Sequence, residues 1–208
     1  MREACLITFG GARGRHASQV LVASGFNVHP VRPRSVDASE EIRNFTRSAL
    51  SALSNKLTQN HIWTHPCSHA TYTYVFEDDI ELPSISPQTL HLQLDHVESL
   101  RPRMLYLGTC AEHWSGMFVA KNWTRCAPLC AHAYAVRNTA ADNATRLTRD
   151  MESAARRKSS SFYKTNWDVI MRGYFVHTQA KESWPLCSNP NIFFQNRTRF
   201  PSIISSVP

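Results

Sequence analysis

Three adjacent carboxylates, Glu77-Asp78-Asp79, directly follow the apolar and aromatic run at residues 72–76. Carboxylates packed together repel one another and raise one another's pKa unless a cation lies among them. Mg²⁺ and Mn²⁺ prefer such hard oxygen ligands and commonly bind substrate phosphates at the same time. A solvated acidic turn is the alternative, but open α/β sheets bind ligands at the carboxyl ends of their strands. The pattern therefore predicts a divalent-metal site at the carboxyl edge of a sheet.

Asp168 is a second candidate for chemistry, because it follows Trp167 and lies among apolar residues. A carboxylate with apolar neighbours tends towards a raised pKa, and such a group suits general-base catalysis near neutral pH. A helix-capping or surface role is equally compatible with the pattern. His132 is a competing base, although the role of a hydrogen-bonded core histidine is the simpler one for it.

A glycine-rich turn, Gly10-Gly11-Ala12-Arg13-Gly14, separates a predicted strand from a predicted helix. It matches neither the dinucleotide-binding fingerprint nor the Lys-containing P-loop. Its glycines still permit close approach of the backbone to a ligand. Arg13 and Arg15 are therefore candidates for contact with a pyrophosphate, and a solvated arginine is the alternative at both positions.

The chain has six cysteines, and two groups of Cys and His residues have spacings that invite comparison with zinc sites. The groups are His61-x3-His65-x-Cys67-x-His69, and Cys110-x2-His113 followed by Cys126-x3-Cys130-x-His132. The second comes closer to structural-zinc spacing. A disulfide or free thiols are the alternatives, depending on the compartment. We expect Cys110 to lie near Cys126 or Cys130, and Cys5 to pack in a strand as a small hydrophobe.

Alternating strands and helices must position these residues. The patterns predict strands at residues 4–9, 26–31, 71–76, 104–107, 131–136 and 192–195, and helices at 18–24, 39–59, 87–99, 138–157 and 166–172. Residues 109–129 are predicted to form a long loop over the site. Strands that alternate with helices predict an α/β fold with a mainly parallel central sheet flanked by helices. A length of 208 residues suits one domain, residues 1–208.

The chain is basic, with 23 Lys and Arg against 16 Asp and Glu and a formal charge of +7. The basic residues are scattered and not interleaved with aromatics, so we expect no nucleic-acid partner. A basic enzyme that handles phosphorylated donors explains the charge more simply.

No apolar run reaches the roughly 20 residues of a membrane span. The apolar stretch at residues 4–9 is too short for a signal peptide, so the chain as it stands is expected to be cytoplasmic. A place in the ER or Golgi lumen is the alternative if it is a fragment, and the Asn-x-Ser/Thr sequons favour this weakly.

In order along the chain, these segments resemble glycosyltransferase family 25, which contains lipooligosaccharide and procollagen galactosyltransferases. The most specific similarities are Glu77-Asp78-Asp79, Tyr106-Leu107-Gly108 and His132-Ala133-Tyr134. The shorter ones are Leu6-Ile7-Thr8, Val36-Asp37, Trp63, Asp168 and Phe194-Gln195. The chain departs from the family at Thr58-Gln59, which stand where the family has Ser-His, and at Asp37, which lacks the following Gly.

The resemblance implies a GT-A fold, a Rossmann-like single domain that uses Mn²⁺ or Mg²⁺. The donor would be a nucleotide-sugar, with a UDP-sugar expected, and the acceptor a hydroxyl on a glycan or glycoprotein. Asp79 would hold the metal against the donor diphosphate, while Asp78 or Glu77 would bind the ribose or complete the metal shell. Thr8 and Asp37 would contact the nucleoside. Asp168 would deprotonate the acceptor hydroxyl in an inverting transfer, as in the family.

Two other classes of function use the same features. A metal-dependent phosphoesterase or nuclease would employ the same carboxylates and basic surface without needing a sugar nucleotide. A non-catalytic basic binding module would have its long loop pinned by zinc and would be indifferent to Mn²⁺.

Overall fold

Strands and helices alternate in the computed structural model, which describes residues 1–36, 47–81, 85–110, 114–138, 149–150, 153, 166–196 and 198. The strands are β1 (Arg2–Ile7), β2 (Phe26–Val31), β3 (Tyr72–Glu77), β4 (Ile80–Glu81), β5 (Met104–Gly108), β6 (Trp114–Ala120), β7 (Trp123–Cys126), β8 (Ala133–Arg137), β9 (Leu186–Ser188) and β10 (Phe194–Gln195). The helices are α1 (Gly11–Ala23), α2 (Arg47–Thr64), α3 (Pro87–Ser99) and α4 (Trp167–Thr178), followed by a 3₁₀ turn at Lys181–Ser183. The helix predicted at residues 138–157 falls largely outside the described residues.

Eight of the strands form one mixed sheet in the order β2-β1-β3-β8-β5-β9-β7-β6, and β4 pairs with β10 in a small second sheet. β1 is parallel to both β2 and β3, and β5 is parallel to β9. β8 runs antiparallel between β3 and β5, and the edge strands β7 and β6 also pair antiparallel. The α/β fold is therefore confirmed, but the sheet is mixed rather than mainly parallel.

The central strands bury both of their faces, as expected for a sheet covered by helices on each side. Because successive side chains alternate between faces, Cys5 of β1 packs in one core layer while its neighbours Ala4 and Leu6 pack in the other. The first layer contains apolar residues of α2 and α4, and the second contains those of α1 and α3. No helix among the described residues is long and apolar enough to cross a bilayer.

Residues 114–126 form a β-hairpin, so the prediction of a long loop at residues 109–129 was wrong for this part. β6 and β7 are joined by the two residues Lys121 and Asn122, and Ala120 pairs with Trp123. Asn122, the second of these two residues, has a φ of 64°, a left-handed conformation that Asn adopts more readily than most residues. Pairing of β7 with β9 attaches the hairpin to the edge of the sheet.

All six cysteines are paired in disulfides: Cys5 with Cys67, Cys110 with Cys130, and Cys126 with Cys187. Their Cα atoms are 5.6–5.9 Å apart, within the usual range for a disulfide. The prediction that Cys110 lies near Cys130 is confirmed, whereas the expected thiol at Cys5 is not found. Cysteines in disulfides supply no thiolate for zinc, so a disulfide, not zinc, pins the segment between Cys110 and Cys130.

Replacing Cys126 and Cys187 together by Ala is expected to lower the free energy of unfolding by about 4 kcal/mol. This bond closes a sequence separation of 61 residues, and opening it restores the conformational entropy of that loop in the unfolded chain. Urea unfolding followed by tryptophan fluorescence measures the change. The double Ala variant at Cys110 and Cys130, with a separation of 20 residues, is the comparison and should lose about 3 kcal/mol. An unchanged unfolding midpoint in the first variant would contradict the prediction.

Candidate active site

A pocket of about 350 Å³ opens at the carboxyl ends of β1 and β3. The pocket is also lined by residues of α2, by Asn166, Trp167 and Asp168 at the start of α4, and by Gln195 at the end of β10. The predicted site residues that line it are Thr8, Glu77, Asp78, Asp79 and Asp168. Asp37, the remaining predicted nucleoside contact, lies outside the described residues. Tertiary structure thus brings five of the six residues to which the family resemblance assigns roles to one cavity, together with Arg13, the candidate pyrophosphate contact. The cavity is at the low end of the size range of ligand pockets.

Parallel pairing of β1 and β3 explains why Thr8 meets the carboxylates. Ile7 pairs with Glu77, so the residues that follow each strand lie side by side at one edge of the sheet. The Thr8 hydroxyl donates to Asp78 Oδ2 over 2.7 Å and accepts the N–H of Gly10 over 2.9 Å. The expectation that the acidic triplet ends a central strand beside the first strand is confirmed. Thr8 acts on the site by orienting Asp78.

Arg13 is the cation that lies among the carboxylates. Its guanidinium forms an ion pair with Asp78, and its Nη2 is 3.3 Å from Asp79 Oδ2. It reaches them because α1 begins at Gly11 and not, as predicted, at residue 18, so Arg13 lies in the first helical turn. Gly10 supports this early start with a φ of 88°, which few side-chain-bearing residues adopt. The two buried carboxylates are therefore partly neutralised without a metal.

Gln195 lies at the site, although its place in the short Phe194-Gln195 similarity gave it no predicted role there. Its Nε2 lies 3.4 and 3.5 Å from the two carboxylate oxygens of Asp79. The backbone N–H of Asn196 donates to the carbonyl of Asp79 over 2.7 Å. These contacts follow from the small sheet, in which β10 pairs with β4 just after Asp79. The end of β10 thus closes one side of the pocket.

Glu77 is a buried carboxyl group with a raised pKa. Burial raises the pKa of Glu77 to about 8, and the nearby carboxylates of Asp79 and Asp168 add to this rise. Asn55 of α2 contacts Glu77 Oε1 through its Nδ2 at 3.5 Å, and this contact lowers the pKa. Glu77 is therefore mainly uncharged at neutral pH.

Asp168 lies in the first turn of α4, with its carboxylate at the pocket. Its Oδ2 accepts the backbone N–H of Cys130, and its Oδ1 accepts that of Val169, each over 3.0 Å. The N-terminus of a helix also favours negative charge. These contacts stabilise the carboxylate and leave its general-base role a prediction. His132, the competing base, is 2 % exposed and does not line the pocket.

Five polar residues of α2 line the pocket and were not predicted as site residues: Ser51, Ser54, Asn55, Thr58 and Gln59. Thr58 and Gln59 are almost completely buried. The sequence signal of the five is their spacing, at positions i, i+3, i+4, i+7 and i+8, which puts polar side chains on one face of a helix. The resemblance to the family does not mark them, because Thr58-Gln59 stand where the family has Ser-His.

The carboxylates fit a metal that arrives with a substrate. Among the described residues, no three His, Cys, Asp or Glu side chains converge as ligands for a metal ion. Mg²⁺, however, usually keeps several waters and takes only one or two carboxylates together with substrate phosphates. Asp78 and Asp79 supply that number, and their ion pairs with Arg13 would compete with a metal in the absence of a diphosphate.

No family model matches the chain, and no curated protein sequence matches it either. The resemblance to glycosyltransferase family 25 therefore rests on its short motifs. A solved structure of a glycosyltransferase involved in the glycosylation of the major capsid of PBCV-1 is 10 % identical, with a TM-score of 0.49, over 91 % of this chain and 82 % of that chain. A protein from STIV is also 10 % identical, with a TM-score of 0.38, over 94 % of each chain. Both TM-scores are below 0.5, so neither similarity bears on function.

Proposed function

We propose that this protein is a metal-dependent glycosyltransferase with the GT-A architecture. It transfers a sugar from a nucleotide-sugar, with a UDP-sugar as the expected donor, to a hydroxyl of a glycan or glycoprotein, with inversion. One observation carries this proposal: the acidic triplet, Thr8 and Asp168 come from three separate segments and line a single pocket at the carboxyl ends of parallel strands. That edge is where open α/β sheets bind nucleotides.

Each charged group has a role in this reaction. Asp78 and Asp79 hold Mn²⁺ or Mg²⁺ against the donor diphosphate, and Thr8 keeps Asp78 oriented. When bound, the metal offsets the charge that develops on the departing nucleoside diphosphate. Arg13, already beside both carboxylates, adds positive charge at the same place. The acceptor oxygen attacks the anomeric carbon of the sugar from the face opposite the diphosphate, whose bond to that carbon breaks. Asp168 accepts the proton of the acceptor hydroxyl in this step.

The three disulfides support a place in an oxidising compartment, such as the lumen of the secretory pathway, because such bonds are rare in the cytosol. This favours the second of the two compartments considered from the sequence. A lumenal transferase would also meet glycan and glycoprotein acceptors there.

Thermal unfolding with a panel of nucleoside diphosphates and nucleotide-sugars, with and without Mn²⁺, tests the proposed function. UDP is expected to raise the unfolding temperature only when Mn²⁺ is present, because free carboxylates repel phosphate and a ligand of the folded state stabilises it. Stabilisation by UDP without metal would instead indicate that Arg13 binds the diphosphate and that no metal ion is needed. A panel without any stabilising nucleotide, together with Mn²⁺-dependent cleavage of a phosphodiester, would replace the transferase by a phosphoesterase.

A further inference from the structure

Two buried N–H groups belonging to pocket-lining residues lack a hydrogen-bond acceptor in the part of the chain that the structure describes. They are Nε2 of Gln59 and Nε1 of Trp167. Gln59 is 0 % exposed and Trp167 is 3 % exposed, so bulk water does not reach them. Because native proteins leave few buried donors unpaired, two of them at one pocket require an explanation.

A chain of hydrogen bonds determines which atom of the Gln59 amide has no hydrogen-bond partner among the described residues. The indole N–H of Trp63, which can only donate, donates to the Tyr134 hydroxyl over 2.8 Å. The Tyr134 hydroxyl donates in turn to Gln59 Oε1. Burial raises the pKa of Tyr134 well above its usual value, so this hydroxyl keeps its proton. The amide oxygen is therefore held against Tyr134, and the NH₂ group is the one without a partner.

The indole of Trp167 is held by packing against the same Trp63. The two rings meet edge to face, with centroids 5.4 Å apart and an interplanar angle of 79°. Trp63 thus supports both unsatisfied donors, one through Tyr134 and the other through its ring. Donors held this rigidly lose little conformational entropy when they bind a ligand.

The charges near the two donors favour a neutral, hydroxyl-rich ligand over a phosphate. Glu77 lines the same pocket as Gln59, and Asp168 directly follows Trp167. The carboxylate of Asp168 disfavours a phosphate, whereas a sugar hydroxyl can accept from an N–H and donate to a carboxyl oxygen. The cationic group of the pocket, Arg13, lies instead with Asp78 and Asp79.

We propose that Gln59 and Trp167 donate hydrogen bonds to hydroxyl oxygens of the transferred sugar and thereby select it. The inference rests on the proposed transferase function and adds the residues that recognise the transferred sugar. Neither nitrogen is open to bulk water. Sugar oxygens reach them only when neighbouring side chains move apart, and each oxygen that arrives satisfies one donor.

Titration calorimetry with UDP, UDP-glucose and UDP-galactose in the presence of Mn²⁺ tests this inference. The wild type is expected to bind one UDP-hexose more tightly than UDP. Trp167→Phe and Gln59→Met should each weaken that binding by about five- to tenfold, the range expected for one hydrogen bond, and leave UDP affinity unchanged. Trp123→Phe is the matched control, because Trp123 Nε1 is also buried and has no acceptor among the described residues, but Trp123 does not line the pocket. It should leave both affinities unchanged.

Monodeoxy analogues of the preferred UDP-hexose separate recognition from a loss of packing. One deoxy analogue should bind the wild type as weakly as the parent UDP-hexose binds Trp167→Phe. Trp167→Phe should bind this analogue and the parent UDP-hexose with equal affinity. Wild-type affinity of both variants for the UDP-hexose, or no gain of UDP-hexose over UDP in the wild type, overturns the inference and leaves the transferase function in place. Failure of the wild type to bind UDP at all overturns both. If Trp167→Phe does not fold, Gln59→Met decides alone.

Discussion

Asp79→Asn is expected to abolish the stabilisation of the protein by UDP and Mn²⁺ together. The amide cannot supply a charged oxygen to the metal, so the diphosphate would face the remaining carboxylates without a metal ion to bridge them. Thermal unfolding with UDP and Mn²⁺, added separately and together, measures the effect. Sugar transfer should be lost in parallel.

The cost of Asp79→Asn to the unliganded protein follows from Arg13. From the sequence alone, removing a charge from a self-repelling cluster is expected to cost the metal-free protein little or even to stabilise it. The structure changes this expectation, because Asp79 forms an ion pair with Arg13. Asp78 still balances Arg13 in the variant, so the loss should be limited to about 1 kcal/mol.

A matched control for this variant is Asp95→Asn. Asp95 also forms an ion pair with an arginine, Arg2, but its side chain is 68 % exposed and it does not line the pocket. Its loss should leave the response to UDP and Mn²⁺ unchanged. If Asp79→Asn binds UDP and Mn²⁺ as well as the wild type does, the assignment of the metal to Asp79 is wrong.

Asp168→Asn is expected to lower the rate of sugar transfer by roughly 10²–10⁴-fold, the typical contribution of a positioned base. Donor affinity should be unchanged, because Asp168 is proposed to act on the acceptor hydroxyl and not to contact the donor. The measurement is turnover at saturating donor, with donor affinity determined by titration on the same variant. Asn166→Ser, two residues earlier in the pocket wall, is the control and should keep near-wild-type turnover.

Three other outcomes for Asp168→Asn assign the residue differently. Near-wild-type turnover removes Asp168 from the mechanism. Weakened donor binding makes it a ligand of the donor sugar. Loss of stability with unchanged turnover per folded molecule makes its hydrogen bond to the Cys130 N–H its main contribution.

Local patterns in the sequence were sufficient where neighbouring residues decide the structure. The apolar run before Glu77 predicted β3 and the position of the carboxylates at its end. Ser86 and Pro87 predicted the start of α3, where the Ser86 side chain accepts the N–H of Thr89 and caps the helix. Turn geometry was harder to predict: residues 114–126 form a hairpin where the sequence predicts a loop. Among the described residues, its strands pair with each other and with β9, a strand of three residues, and a linear pattern does not contain such pairing.

The chemical character of the pocket depends on contacts between distant segments, which a linear pattern does not contain. By itself the sequence determined an α/β fold with an acidic cluster after a central strand. Tertiary structure decided that Arg13 neutralises this cluster, that Gln195 meets Asp79 across 116 residues, and that the cysteines pair rather than bind zinc. It also placed the polar face of α2 at the pocket. The physical reason is that strand order and pairing set which ends of the chain segments meet, and this order follows from packing of the whole core.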